Sequence, residues 1–182
     1  MKIKNGLRLI AIGFIFTLVN INITFDKTQI NIMPDFIGWI LIAAASIILK
    51  EYTKKNPFYL IGAILLAISD AAFMIIELAF PKLDINIYQT AASLFSIFYI
   101  FLLLRKIEKI GKDKGYNDVA SVRILRYVYV IVYLIFQALT LAADYLPVKV
   151  LAVLFSISGI AALVTAIATA FVLFKMSILI EA

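Results

Sequence analysis

The sequence predicts an all-α polytopic membrane protein: a single domain, 1–182, with six transmembrane helices. Hydrophobic residues make up 64% of the chain and charged residues only 15%, whereas soluble domains are about 45–50% apolar. Apolar stretches approach or exceed the length of about 20 residues that crosses a hydrocarbon core roughly 30 Å thick. Basic residues fall mainly in alternate gaps between these stretches. The predicted spans are 5–24, 34–50, 58–80, 87–104, 124–143 and 150–174.

The distribution of basic residues predicts the orientation. Fourteen of the 17 lysines and arginines lie in the two terminal flanks and in the second and fourth connections; the others are Lys27, Lys82 and Lys149. Because basic segments beside spans stay in the cytoplasm, both termini are predicted to be cytoplasmic. Removing any one span would break the alternation, so the charges support six spans independently of hydropathy.

The first span, 5–24, begins with basic residues and continues as an apolar stretch, which is also how a cleavable signal peptide begins. The residues after Val19 lack the pair of small side chains that a signal peptidase site needs. An uncleaved first span is therefore predicted.

The second span opens with the segment N-I-M-P-D-F-I-G-W-I-L-I, residues 31–42. Pro34 suits the first position of a helix, and Asp35 complements the positive end of the helix dipole. Trp39 fits an outer-interface anchor or an interhelical contact, so structure alone accounts for all three residues. The segment resembles the N-I-x-P-D-F-I-G-[YW]-I-L-I pattern of small, uncharacterised multi-span membrane proteins of Firmicutes. That resemblance implies a bacterial plasma-membrane location and transfers no catalytic residues.

The third span carries two acids, Asp70 near its middle and Glu77 two turns further out. An intramembrane ionisable residue is by default a functional-site hypothesis, and Asp70 is suited to carry a proton. Their separation of about 10.5 Å along the helix prevents them from sharing a proton directly, which argues against a paired-carboxylate hydrolase. The alternative is a protonated or hydrogen-bonded acid packed against Tyr99, Tyr133, Ser96 or Ser156.

The fourth connection, 105–126, is basic and contains two glycines. It has neither the P-loop pattern nor the dinucleotide fingerprint, so nucleotide binding has no support. Attraction to anionic headgroups is reasonable, but insertion topology already explains these charges.

The fifth span carries a polar stripe whose members are spaced three or four residues apart, which places them on one helical face. This face is expected to point into the bundle, because unsatisfied polar groups in hydrocarbon cost several kcal/mol. A packed hydrogen-bonding seam is favoured over a substrate path, and both stay open. The stripe consists of Arg126, Tyr129, Tyr133, Gln137, Thr140 and Asp144.

The sixth span contains small residues at steps of four: Ser158, Ala162, Ala166 and Ala170. Such a strip permits close helix packing within the bundle or across a dimer axis. A sliding helix in a transporter would use the same surface.

Three repeated helical hairpins are a further possibility. The pattern K-x-x-I-N-I occurs at 27–32 and at 82–87, and L-F-S-I occurs at 94–97 and at 154–157. These matches use abundant residue types, so duplication and chance similarity both stay open.

Composition narrows the function. The chain has no cysteine and no histidine, which removes thiolate and imidazole catalysis and the commonest metal ligands, so no cofactor or metal site is expected. The net charge of +6 is explained by topology and does not predict nucleic-acid binding.

The favoured hypothesis is a non-catalytic plasma-membrane component that binds a protein, a second copy of itself, or lipid. The alternative is a small proton-linked transporter that uses Asp70 and the polar face of the fifth span; an intramembrane enzyme ranks last.

Overall fold

The computed structural model describes residues 2–17, 22–25, 28–31, 35–52, 56–80 and 86–180, without the side chains of 22–25, 28–31, 86 and 144. This part of the chain is mostly helical. Its elements are α1 (Lys2–Phe16), β1 (Asn22–Phe25), β2 (Thr28–Asn31), α2 (Asp35–Ile48), α3 (Phe58–Ala79), α4 (Asn86–Asp113), α5 (Val119–Leu141), a 3-10 turn (Ala143–Tyr145) and α6 (Val148–Leu179).

Four of these helices, α3 to α6, are long and apolar enough to cross a membrane. In contrast, α1 has 15 residues and α2 has 14, lengths of about 22 Å and 21 Å. Both are shorter than a hydrocarbon core of about 30 Å. The all-helical membrane class is therefore supported, whereas the six predicted spans reduce to four helices of spanning length and two shorter ones.

A β-hairpin replaces the end of the predicted first span. Helix α1 ends at Phe16, and β1 pairs antiparallel with β2 so that Ile23 faces Ile30 and Asn22 faces Asn31. The physical reason is a period-two alternation of polar residues with isoleucine, which suits a strand. The helical prediction for 22–24 counted only hydrophobicity and missed that alternation.

The hairpin also bears on the suggested internal repeat. Asn31, in the first copy of K-x-x-I-N-I, is the last residue of β2, whereas the equivalent Asn86 is the first residue of α4. Matched positions therefore adopt different secondary structures. A threefold repeat is not shown.

The helices follow one another around the bundle. Helix α1 packs between α2 and α6, α2 packs on α3, and α4, α5 and α6 pack in sequence, while α3 and α4 contact each other sparsely. The fully buried side chains of Leu7, Ile10 and Phe14 place α1 in the core. Helices α3 and α4 are therefore loosely packed against each other.

Helices α1 and α2 touch through their backbones at two glycines. A Cβ atom added to Gly13 would lie 2.8 Å from the carbonyl oxygen of Gly38, and one added to Gly38 would lie 2.6 Å from the carbonyl oxygen of Gly13. Small residues permit this close approach between membrane helices. The position of this crossing determines which part of α3 lies beside the first turn of α2.

The outer surface of the long helices is apolar. Bulky side chains such as Ile75, Ile160 and Phe171 are more than half exposed. Extensive apolar exposure of this kind marks a surface that another apolar phase covers. The surface is the one expected of helices in contact with lipid.

Basic segments distant in sequence meet at one end of the bundle. Lys2 forms an ion pair with Glu51, with 3.2 Å between Nζ and Oε1, which joins the start of the chain to the α2–α3 connection. Lys175, in α6, pairs with Asp118 between α4 and α5 at 3.6 Å. The guanidinium of Arg8 in α1 lies 5.3 Å from the ring centroid of Phe174 in α6, so both pairs lie at the same end, which is called the basic end below.

At this end, α4 stops at a Schellman motif. Gly115 has a φ of +72°, a left-handed conformation that glycine adopts without strain. The amide of Tyr116 donates to the carbonyl of Gly111 at 2.9 Å, and the amide of Gly115 donates to the carbonyl of Lys112 at 3.1 Å. These two bonds satisfy carbonyls that the helix end would leave free.

Candidate functional site

The central polar site joins α2 to α3. The indole Nε1 of Trp39 donates a hydrogen bond of 2.7 Å to Oδ2 of Asp70. Asp35 lies one turn before Trp39 on the same face of α2 and is close enough to Asp70 to interact electrostatically. Trp39 is buried and the two acids are half-buried. Asp35, Trp39 and Asp70 are called the carboxylate cluster below.

One oxygen of this cluster lacks a partner. Oδ1 of Asp35 is buried and accepts no hydrogen bond from the described residues. Tyr133 of α5 lies within electrostatic reach of Asp35. Two half-buried carboxyl groups that interact electrostatically repel each other when both are ionised, so the cluster has the chemistry to take up a proton.

The donor to Asp70 differs from every predicted partner. Ser96 and Ser156 donate to backbone carbonyls of their own helices, and Tyr99 donates to the carbonyl of Tyr59. Trp39 forms the bond because the Gly13–Gly38 crossing places the first turn of α2 beside the middle of α3. The prediction of a hydrogen-bonded acid agrees with this contact, although the hydrogen-bond donor is none of the residues against which Asp70 was predicted to pack.

Glu77 does not join the carboxylate cluster. It is exposed and accepts a 2.7 Å hydrogen bond from Nε2 of Gln89. This bond bridges α3 and α4, which otherwise make few contacts.

The polar face of α5 points inward for part of its length. Tyr129 is buried, and its ring stacks on Tyr133 with 4.2 Å between centroids. The ring of Phe14, from α1, meets Tyr129 edge-on at 6.0 Å. Further along, Nε2 of Gln137 lies 3.5 Å from Oγ1 of Thr90 on α4. These residues form an interhelical seam.

The end of the same stripe leaves the interior. Thr140 is exposed, and its hydroxyl donates to the carbonyl of Phe136 on its own helix. The side chain of Asp144 lies outside the described part of the chain.

The small-residue strip of α6 faces the bundle. Ser158, Ala166 and Ala170 are buried, and Ala162 is half-buried. Helix α6 packs on both α1 and α5. The neighbouring Gly159 differs, because an added Cβ there would meet no atom within 4 Å.

An ion network surrounds the buried side chain of Glu108 at the basic end. Glu108 accepts hydrogen bonds from Nη1 of Arg126 at 2.8 Å and from Nε of Arg123 at 2.9 Å. Lys112 lies 3.2 Å from the same carboxylate. Burial raises the pKa of Glu108, but the hydrogen bonds from Arg123 and Lys112 and the charge of Arg126 outweigh it, so its pKa is lowered. These ion pairs connect the start of α5 to the second half of α4.

Beside this network is a cavity of about 550 Å³, called the basic cavity below. It lies between the start of α3, the second half of α4 and the start of α5. Its lining residues are Tyr59, Leu102, Arg105, Lys106, Glu108, Lys109, Lys112, Asp113 and Arg126. Asp70 does not line it.

Sequence reasoning missed Asp35, Trp39 and Glu108 as site residues. The spacing of four between Asp35 and Trp39 shows that they share a helical face, although it does not identify the opposing helix. Glu108 precedes Lys112 by four residues, which predicts a local pair but not burial. The sequence carries no signal for the contact with α5 that buries Glu108.

Metal coordination finds no geometric support in the described residues, among which no three acidic, histidine or cysteine side chains come together. Comparisons of the chain with protein families, curated proteins and solved structures gave no match. Inferences about function therefore depend on the geometry of the chain itself.

Proposed function

We propose that this chain is a non-catalytic component of the bacterial plasma membrane that binds a protein, a second copy of itself, or lipid. The observation that carries the proposal is that interior polar side chains on several helices engage one another. Trp39 of α2 is hydrogen-bonded to Asp70 of α3, and Nε2 of Gln137 on α5 lies 3.5 Å from Oγ1 of Thr90 on α4. Such contacts stabilise helix packing by about 0.6–2 kcal/mol each, a role that needs no substrate.

The orientation that we propose has both termini and the basic end in the cytoplasm, because basic residues are retained there during insertion. The chain has no natural cysteine, so single cysteines can report accessibility. We expect Asn117→Cys, at the basic end, to be protected from a membrane-impermeant maleimide in intact cells. We expect Tyr145→Cys, in the α5–α6 connection, to be labelled. Labelling of Asn117→Cys with protection of Tyr145→Cys would reverse the orientation.

A second candidate is a small proton-linked transporter. The specific observation in its favour is the buried Oδ1 of Asp35, which has no hydrogen-bond partner among the described residues and interacts electrostatically with Asp70. An intramembrane acid of this kind is suited to exchange protons during transport.

Proton flux separates the two candidates. The purified chain is reconstituted into vesicles with an internal pH-sensitive dye, and a pH gradient is imposed. For a non-catalytic component, we expect the gradient to decay at the rate of protein-free vesicles. Faster decay that Asp70→Asn or Asp35→Asn abolishes would favour transport, provided that the matched variant Glu77→Gln, which alters an exposed acid of α3, keeps it.

A further inference from the structure

We infer that the basic cavity binds the phosphate of an anionic phospholipid headgroup. This inference specifies the class of lipid that the chain binds. It rests on the proposed function, because it needs the proposed orientation with the basic end at a membrane surface. Its support comes from the charge of the cavity, an unsatisfied buried donor, and the apolar surface beside it.

The cavity carries an excess of positive charge. Its carboxylates are Glu108 and Asp113. Of these, Glu108 is already engaged by Arg123 and Arg126, so its charge is compensated within the protein. The cationic side chains that line the cavity are Arg105, Lys106, Lys109, Lys112 and Arg126.

One cation of the cavity has an unsatisfied donor. The side chain of Arg126 is only 7% exposed and donates to Glu108 through Nη1. Its Nε is buried and has no hydrogen-bond acceptor among the described residues. Leaving a buried donor unpaired is unfavourable, and guanidinium groups bind phosphate through paired N–H donors. Because Nε has no accessible surface in this structure, the guanidinium would have to turn toward the cavity that Arg126 lines for a phosphate oxygen to become the missing acceptor.

The surroundings favour a lipid over a soluble anion. The guanidinium of Arg126 lies 4.8 Å from the centroid of Tyr127 and 5.0 Å from that of Phe101. Tyr127 and the nearby Ile124 are more than half exposed, so apolar surface borders the cavity. Amphipathic aromatic residues favour the headgroup level of a bilayer, and basic pockets between helices on the cytoplasmic side bind anionic headgroups. Acyl chains would then lie along the exposed apolar surface.

Lipid binding to the full chain tests the inference. Protein in neutral detergent micelles is titrated with short-chain phosphatidylglycerol, and bound lipid is counted by native mass spectrometry. We expect the double variant Arg105→Gln/Lys109→Gln to bind it about 30-fold more weakly, from the contribution of two basic residues at a membrane surface. Both side chains are exposed, so the fold is expected to persist and is checked by circular dichroism.

The matched control is Lys2→Gln/Lys175→Gln, which removes the same charge from the same end but outside the cavity. We expect the control to change affinity by less than about threefold, since neither side chain lines the cavity and exposed charges remote from a bound ligand are screened. If the two double variants lost the same amount of affinity for phosphatidylglycerol, binding would depend only on the total positive charge, and the proposed site would be wrong.

Two further titrations identify the ligand. Short-chain phosphatidylcholine should bind much more weakly than phosphatidylglycerol, and comparable binding would overturn the preference for an anion. Inorganic phosphate that binds as tightly as the anionic lipid would overturn the lipid source in favour of a soluble anion. If the lipid tests fail and the chain conducts no protons, the lipid site is refuted and the proposed function is retained. Flux that depends on Asp70 removes the proposed function whatever the lipid result.

Discussion

The contact between α1 and α2 predicts that Gly13 does not tolerate even a methyl group. In Gly13→Ala, the new Cβ would lie 2.8 Å from the carbonyl oxygen of Gly38 and 2.8 Å from Cγ1 of Ile42. Ile42 can adjust its rotamer, but the carbonyl belongs to a helix backbone. The two helices must therefore separate by about half an ångström, which loosens the dispersion contacts around the crossing.

The magnitude follows from two opposing terms. Alanine is favoured over glycine within a helix by about 1 kcal/mol, whereas overpacking costs about 1–3 kcal/mol. Gly159→Ala in α6 is the matched control, since its Cβ meets no atom within 4 Å. We expect Gly159→Ala to stabilise the chain by about 0.4–1 kcal/mol and Gly13→Ala to be less stable than this control by about 1–3 kcal/mol.

The free energy of unfolding is measured by titration with a denaturing detergent in mixed micelles, with helicity followed by circular dichroism. Equal stabilisation by the two alanines would refute the backbone contact between α1 and α2. It would also remove the explanation of how Trp39 reaches Asp70.

Three further predictions concern single contacts. A double-mutant cycle of Trp39→Phe and Asp70→Ala is expected to give a coupling free energy of about 0.6–1.7 kcal/mol, and a value near zero would contradict the hydrogen bond. The pKa of Glu108 is lowered below 4.5, so its stabilising contribution is complete above that value and is lost as the pH falls through the folded pKa. The stability difference between the wild type and Glu108→Gln should therefore shrink below about pH 4.5, and a constant difference would argue against the network. Gly115→Ala is expected to cost about 1–2 kcal/mol in the same unfolding assay because φ is positive there, and Gly115→Asn less; equal costs would contradict the left-handed cap.

The candidate site was predictable in part. The position of Asp70 within an apolar helix and the inward face of Tyr129, Tyr133 and Gln137 follow from spacing alone. Thr140 shares that spacing but is exposed, because a threonine hydroxyl can bond to its own helix and needs no partner helix. The donor to Asp70 was not predictable, since it comes from a helix whose approach depends on the contact between Gly13 and Gly38, two glycines far apart in the sequence.

The β-hairpin shows a different limit of prediction from the sequence, namely that hydropathy alone does not reveal strands. Residues 20–25 and 29–32 alternate polar side chains with isoleucine or phenylalanine, so hydrophobic content extends the first span while periodicity predicts strands. Hydropathy averages over a window and loses the alternation. The resulting α1 is shorter than a bilayer core.

Composition and periodicity alone determined that the chain is helical with an apolar surface and that its basic residues fall mainly in alternate connections between apolar segments, because these properties depend on local sequence. Only the tertiary structure decided that Asp35 approaches Asp70, that Glu108 is buried between Arg123 and Arg126, and that a basic cavity forms beside them. Each of these contacts joins residues on different helices. Their geometry depends on how closely and at what angle the helices cross, which small differences in side-chain volume decide.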